Sequence, residues 1–324
     1  MTPSRFLFLA VLFLLFAAPS QGRKSNLLSS LHSPVLLCGN DSIAYRDPAV
    51  VYRRGTFYLF FTVTRTTSDS IYSYVAQSRS RDLVHWTAPR PITPASQVMG
   101  FSSPGNVIRC RGQYVLCLQS YPRPDYRPGQ GVRYGSDQAR LYVMRSRDME
   151  HWTQPELLRV KGDVPVEEMG RMIDPYLIRD KDDCRKWWCF YQQNGVSMSY
   201  SKDLIHWIPY GRTDCGENVS LLTDKGEYVL FHSPQNGIGV KRSADLLHWH
   251  DDGPLITLGQ KKWEWARGRI TAATVVDLRG VRGIGCYLMF FHGSGPLTET
   301  EGDFDRNASI GIAWSSDLRN WDYP

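Results

Sequence analysis

Three carboxylates have neighbours of the kind that could place them for acid–base chemistry. Asp47 lies in Tyr45-Arg46-Asp47-Pro48, Asp174 in Gly170-Arg171-Met172-Ile173-Asp174-Pro175, and Glu217 in Gly216-Glu217-Asn218. Each stands where an extended apolar or aromatic run is about to begin. Carboxyl groups brought close together resist ionising at once; their pKa values separate, and one acts as acid while another acts as base. Taken singly, each has a plainer reading. Asp-Pro is a common turn opener, and Asn218-Val219-Ser220 is a glycosylation-type sequon that would put Glu217 on the surface. The pair Glu167 and Glu168 is a rival acid, or simply a solvated loop. What decides between these readings is whether one architecture gathers the three groups at one place.

An internal repeat supplies that architecture. Five times the chain runs through a β-rich stretch into Ser-x-Asp-Leu/Met-x-x-Trp: Ser80 to Trp86, Ser146 to Trp152, Ser201 to Trp207, Ser243 to Trp249 and Ser315 to Trp321. The motif aspartates are spaced by 66, 55, 42 and 72 residues, as for blades of roughly 40–50 residues carrying insertions. An aromatic-rich run precedes each motif, for example 57–61 and 287–292, then a shorter alternating run such as 141–145. A further apolar stretch comes before them, and the motif tryptophan opens a fourth. The expected fold is all-β: a five-bladed β-propeller with four-stranded antiparallel blades. The motif aspartate should accept backbone N–H groups in a tight turn, which makes the motif histidines His85, His151, His206 and His248 structural. The fifth motif ends too near Pro324 for a full outer strand, so a segment between about residues 31 and 38 is expected to close the last blade.

In a propeller the innermost strands line the axis. The residues opening them are Arg46-Asp47 in blade one, Ser102 to Asn106 in blade two, Ile173-Asp174 in blade three, Glu217 in blade four and Arg269-Ile270-Thr271 in blade five. Only blades one, three and four open with carboxylates. Insertions at about 121–140, 153–170, 250–267 and 294–309 are expected to shape the rim, where loops commonly set specificity. Trp263 and Trp265, in the third insertion, read equally as a stacking surface or as apolar anchors.

Residues 1–22 read as a signal peptide, with Arg5, an apolar run over 6–18 and small residues after it, which leaves residues 23–324 as one domain of a secreted or periplasmic protein. No second apolar run approaches the length of a membrane span. The net charge of +6 is scattered, without the basic block of a nucleic-acid footprint. The seven cysteines lack paired Cys-x-x-Cys spacing, which argues against a zinc site, and their odd number leaves one thiol over in any disulfide scheme. A monomer or small homo-oligomer is expected.

Arg46-Asp47-Pro48, Ile173-Asp174-Pro175, Glu217 nine residues before the turn glycine Gly226, and the five repeats together make the mature chain resemble glycoside hydrolase family 43. The resemblance implies a glycosidase, with Asp47 as general base, Asp174 orienting the acid and tuning its pKa, and Glu217 as general acid. It implies inversion, which needs roughly 6.5–9.5 Å between base and acid for the attacking water. The substrate would be a poly- or oligosaccharide yielding a terminal arabinofuranosyl, xylosyl or galactosyl unit. Arg46, Asn106, Arg171 and Arg269 become candidates for binding sugar hydroxyls or an acidic substrate group. His292 falls where the family often sets a histidine beside an axial Ca²⁺; no cofactor is required. Glu217-Asn218-Val219 departs from the family's Glu-Gly-Pro, and Ser-Ser-Pro-Gly-Asn replaces its common Trp-Ala-Pro in blade two. A non-catalytic sugar-binding propeller, or a glycoside phosphorylase or transglycosylase on the same scaffold, is the alternative reading. A phosphorylase would want a cationic cluster around phosphate in place of the base, and a binding module has no need of the acidic trio.

Overall fold

The computed structural model describes residues 26–324; the expected signal peptide lies outside the described residues. Five four-stranded antiparallel sheets follow one another along the chain. Their first strands, Ile43–Arg53, Val107–Cys110, Ile173–Arg179, Glu217–Asp224 and Arg269–Asp277, contact one another around a central axis. The second strands, from Thr56–Thr66 in blade one to Tyr287–Ser294 in blade five, carry the aromatic runs. The fourth strand of blade five is Val35–Leu37, which pairs antiparallel with Ser309–Ser315, and Ile312 N donates to Pro34 O at 2.9 Å. The ring is therefore sealed by a strand from the opposite end of the chain, as expected, and the edge that blade five would otherwise present is covered. Among the described residues no helix is long and apolar enough to cross a membrane, and all seven cysteines are free thiols.

The core is divided into five clusters, one in each interface between adjacent blades. Strand alternation explains the division: Phe57, Leu59 and Phe61 face blade five while Phe60 faces blade two, so the second strand is apolar on both sides. Each motif tryptophan packs in the interface with the preceding blade; Trp152, for instance, meets Phe60 edge-on at 5.5 Å. In the motif itself, Asp82 Oδ1 accepts from Val84 N and His85 N, and Ser80 Oγ accepts from Leu83 N. His85 folds back on Asp82 Oδ2, and in the fifth copy Asn320 Nδ2 makes the same contact with Asp317. These histidines are exposed latches on turns, and none of them lines the cavity at the axis.

The feature that positions the site is a β-bulge near the start of each first strand. Asp47, Ser103, Asp174, Asn218 and Ala272 are equivalent, and all five have left-handed backbones with φ between 41° and 53°. In blades one, three, four and five the strand register shifts there. A bulge of this kind re-aims side chains, here toward the axis. The bulge N–H points to the preceding blade. Asp47 N donates to His292 Nδ1, Ser103 N to Thr62 Oγ1, Asp174 N to Gln119 Oε1 and Ala272 N to Ser233 Oγ. The acceptor is each time the sixth residue counted from the start of the aromatic run, so every such bond ties the bulge to the neighbouring blade. Gly105, just after the blade-two bulge, lies so close to Pro175 O that a Cβ would stand 1.5 Å from it; only glycine fits.

Candidate functional site

The bulges of blades one to four line a cavity of about 260 Å³ at the axis, into which blade five sends Arg269, and Asp47, Asp174 and Glu217 all line it. Asp47 and Asp174 occupy the left-handed position of their bulges, and Glu217 the position just before it. This accounts for Glu-Asn-Val. The residue after the glutamate must adopt φ 53°, and asparagine is one of the few residues besides glycine that does so readily. Asn218 thus meets the backbone requirement that glycine meets in Glu-Gly-Pro. The sequon asparagine itself lines the cavity, and Ser220 is buried, its Oγ accepting from Val275 N.

Two of the four insertions build the wall. Residues 121–140 of blade two and 294–309 of blade five meet across blade one: Arg123 pairs with Asp305 at 2.6 Å, Tyr126 Oη donates to the same carboxylate, and Tyr134 meets Phe304 edge-on. Arg46 stacks on Phe304 at 4.2 Å and donates to its carbonyl. The stretch 250–267 adds nothing to the lining. Its Trp263 and Trp265 stack on Phe291 in the core between blades four and five, so they are anchors and not a sugar platform. Glu167 and Glu168 are exposed on a short 3-10 turn away from the cavity.

The site has a definite charge pattern. Asp174 is buried, and that burial, with the charges of Glu217 and Asp47 added, raises its carboxyl to about 8, so it holds a proton at neutral pH. Asp47 Oδ2 accepts a hydrogen bond from Thr62 Oγ1 at 2.8 Å. Glu217 pairs with Arg269 at 2.7 Å. A fourth carboxylate, Glu299, sits at the centre of a network with Arg46 at 3.2 Å, Arg269 at 2.6 Å and His292 at 3.5 Å. Burial works against its ionisation; the Arg46 charge, the contact with His292 and Arg269 overcome that and hold Glu299 well below the usual carboxylate range.

Two candidates from the sequence need correction. Asn106 does not line the cavity: its side chain donates to Leu177 O and accepts from Leu177 N, locking blade two to blade three. His292 is near the axis but wholly buried behind Asp47. Its Nδ1 accepts the Asp47 N–H and its Nε2 faces Glu299, so neither ring nitrogen is free for a cation. Burial lowers its pKa and keeps the ring neutral, consistent with an accepting Nδ1. Among the described residues no group of three or more His, Cys, Asp or Glu could hold a metal ion. The donors present do not fit an axial Ca²⁺ at His292.

Glu299 was not legible as a site residue. Its stretch, Thr298-Glu299-Thr300-Glu301-Gly302-Asp303, reads as a polar loop; the one local signal is the capping box between Thr298 and Glu301. Arg123 and Thr62 were likewise invisible, because what commits them lies 182 and 15 residues away.

Fold and site together define a five-bladed propeller of the kind built by glycoside hydrolases of families 43 and 62. Among solved structures, the chain is similar to an exo-1,5-α-L-arabinanase from a bovine ruminal metagenomic library, at 14% identity and TM-score 0.57 over 88% of this chain and 97% of that one. It is similar to the catalytic domain of a Coprinopsis cinerea GH62 α-L-arabinofuranosidase, at 12% identity and TM-score 0.61 over 87% and 95%. It is also similar to the Xanthomonas citri GH43_1 enzyme complexed with xylose, at 13% identity and TM-score 0.58 over 92% and 94%. No protein-family model matches the chain, and no curated protein matches it. The likeness is therefore one of fold.

Proposed function

We propose that the protein is an inverting glycoside hydrolase that removes a terminal sugar from an oligo- or polysaccharide. One observation carries the reading: the carboxylates that open the first strands of blades one, three and four converge in a single walled cavity, beside Glu299 from the blade-five insertion. Its volume of about 260 Å³ lies below the roughly 300–1,000 Å³ of pockets for larger ligands, and suits one sugar ring, hence exo action. The solved structures of similar fold include an arabinanase, an arabinofuranosidase and a xylosidase, which supports an arabinofuranosyl or xylosyl unit; a galactosyl unit is the third candidate. An exported domain, residues 23–324, accords with a polymeric substrate outside the cell.

In this reading Asp47, oriented by Thr62 and by the His292 clamp on its own N–H, takes a proton from the water that attacks the anomeric carbon. Glu217 gives its proton to the departing oxygen. Burial, with the charges of Glu217 and Asp47 added, keeps the proton on Asp174 at neutral pH. Arg269 holds both Glu217 and Glu299, so it must turn from Glu217 toward Glu299 when the acid carries its proton. The Arg269–Glu217 pair is the observation that favours the second reading, a sugar-binding propeller in which Glu217 only accepts hydrogen bonds.

Hydrolysis of a panel of aryl glycosides and plant and algal oligosaccharides, with Asp47→Asn and Glu217→Gln beside wild type, separates the two. Loss of cleavage by at least about 10²-fold in both variants, with the fold intact, supports the hydrolase. Sugar binding without cleavage by wild type supports the binding module.

A further inference from the structure

The fixed charges around the cavity are paired off, with two exceptions. Arg46 and Arg269 share Glu299, Arg269 also holds Glu217, and Arg123 holds Asp305. Asp47 is uncommitted because the reaction needs it. The other exception is Arg171. Among the described residues no carboxylate pairs with its guanidinium and no acceptor takes a hydrogen bond from it; the Tyr121 ring stands 6.0 Å away. Yet Arg171 is half-buried and lines the cavity.

The repeat makes this vacancy informative. Arg171 stands three residues before Asp174, and Arg269 three residues before Ala272, the equivalent bulge residue of blade five; each follows a glycine. At the blade-five position two carboxylates of the protein neutralise the arginine. At the blade-three position none does. The backbone there is not loose either: Gln193 Nε2 donates to both Met169 O and Arg171 O at 3.0 Å, and Met172 N donates to Ala139 O. A guanidinium held on a fixed backbone at the wall of a cavity, without a counter-ion of its own, is suited to a planar oxyanion, which it binds through two charge-assisted hydrogen bonds. The hydroxyls of a neutral sugar have other partners in Asp47, Ser102, Ser103 and Asn218.

We propose that Arg171 receives an anionic group carried by the terminal sugar, a uronate carboxylate or a sulfate ester, so that the substrate is an acidic glycoside. This rests on the glycosidase reading and names its substrate class. The test is calorimetric binding of D-galactose, D-galacturonate, D-galactose 6-sulfate, D-glucose, D-glucuronate, D-xylose and inorganic phosphate to wild type, Arg171→Gln and Arg171→Lys, run beside cleavage of the matching aryl glycosides. The expected result is a preference of about 10–100-fold for one acidic sugar over its neutral parent, which falls to near unity in Arg171→Gln and is partly kept in Arg171→Lys. Whether galacturonate, glucuronate or the sulfate is favoured identifies the anion. Equal binding of neutral and acidic sugars, or a preference that survives Arg171→Gln, overturns the proposal and leaves the hydrolase reading standing. Arg171-dependent binding of inorganic phosphate without an acidic-sugar preference overturns it in favour of phosphorolysis. Absence of both binding and cleavage for every sugar overturns the glycosidase reading itself.

Discussion

Asp174 and His292 lie on either side of Asp47's chemistry, and both are tuned by burial. Asp174 titrates near 8 in the folded protein against 3.8 for an ordinary aspartate, so the native state binds the extra proton between those values. Stability that this group lends below about pH 4 is therefore lost as pH rises toward 8. Asp174→Asn should abolish that slope, so its melting temperature should gain on wild type as pH increases from 4 to 8; equal slopes would show that Asp174 is ionised throughout. His292 has a different task. Its ring accepts the Asp47 N–H, the same task Gln119 performs for Asp174. His292→Ala should lower kcat with little change in KM and cost about 1–3 kcal/mol for the orphaned N–H. His292→Gln, borrowing the solution of blade two, should restore most of both. Glu299→Gln should be more damaging, about 3–5 kcal/mol, because Arg46 and Arg269 lose the carboxylate they share; urea denaturation of the variants measures each cost.

At the scale of the element, the Ser-x-Asp turn was the most legible feature of the chain, because every group it needs lies within six residues. Ser201 Oγ accepts from Leu204 N at 2.9 Å and from Asp203 N, and Asp203 Oδ1 accepts from Ile205 N and His206 N. Ser201→Ala leaves a buried N–H without its partner and should cost about 1–3 kcal/mol with no change in catalytic constants. His206→Ala, on an exposed latch, should be close to neutral in both. The bulge was legible only in part. Asp47-Pro48 and Asp174-Pro175 marked where first strands begin, but the left-handed turn at Ser103, Asn218 and Ala272 has no single residue signature. Asn106 was misread for that reason: it opens a strand as Asp47 does, but lies beyond the bulge, where side chains turn toward the next blade.

For the molecule as a whole, closure joins the two ends of the chain. Removing residues up to Cys38 would strip Val35–Leu37 from blade five and Leu28 and Leu31 from the core between blades five and one. The two leucines alone represent about 3–6 kcal/mol of burial, so the truncated protein should melt lower and self-associate through the bared edge, as scanning calorimetry and light scattering would report. The sequence by itself determined the number of blades, the strands within them, the closing segment and the three axial carboxylates, because repeats, alternation and strand openings are local patterns that survive without knowledge of contacts. Tertiary structure alone decided which polar residues those carboxylates meet. Glu299 reaches Arg46 across 253 positions of chain, Arg123 reaches Asp305 across two insertions, and His292 turns its ring to a peptide N–H 245 residues away. A hydrogen bond or ion pair depends on a few tenths of an ångström between groups the ring brings together, and no local spacing encodes that distance.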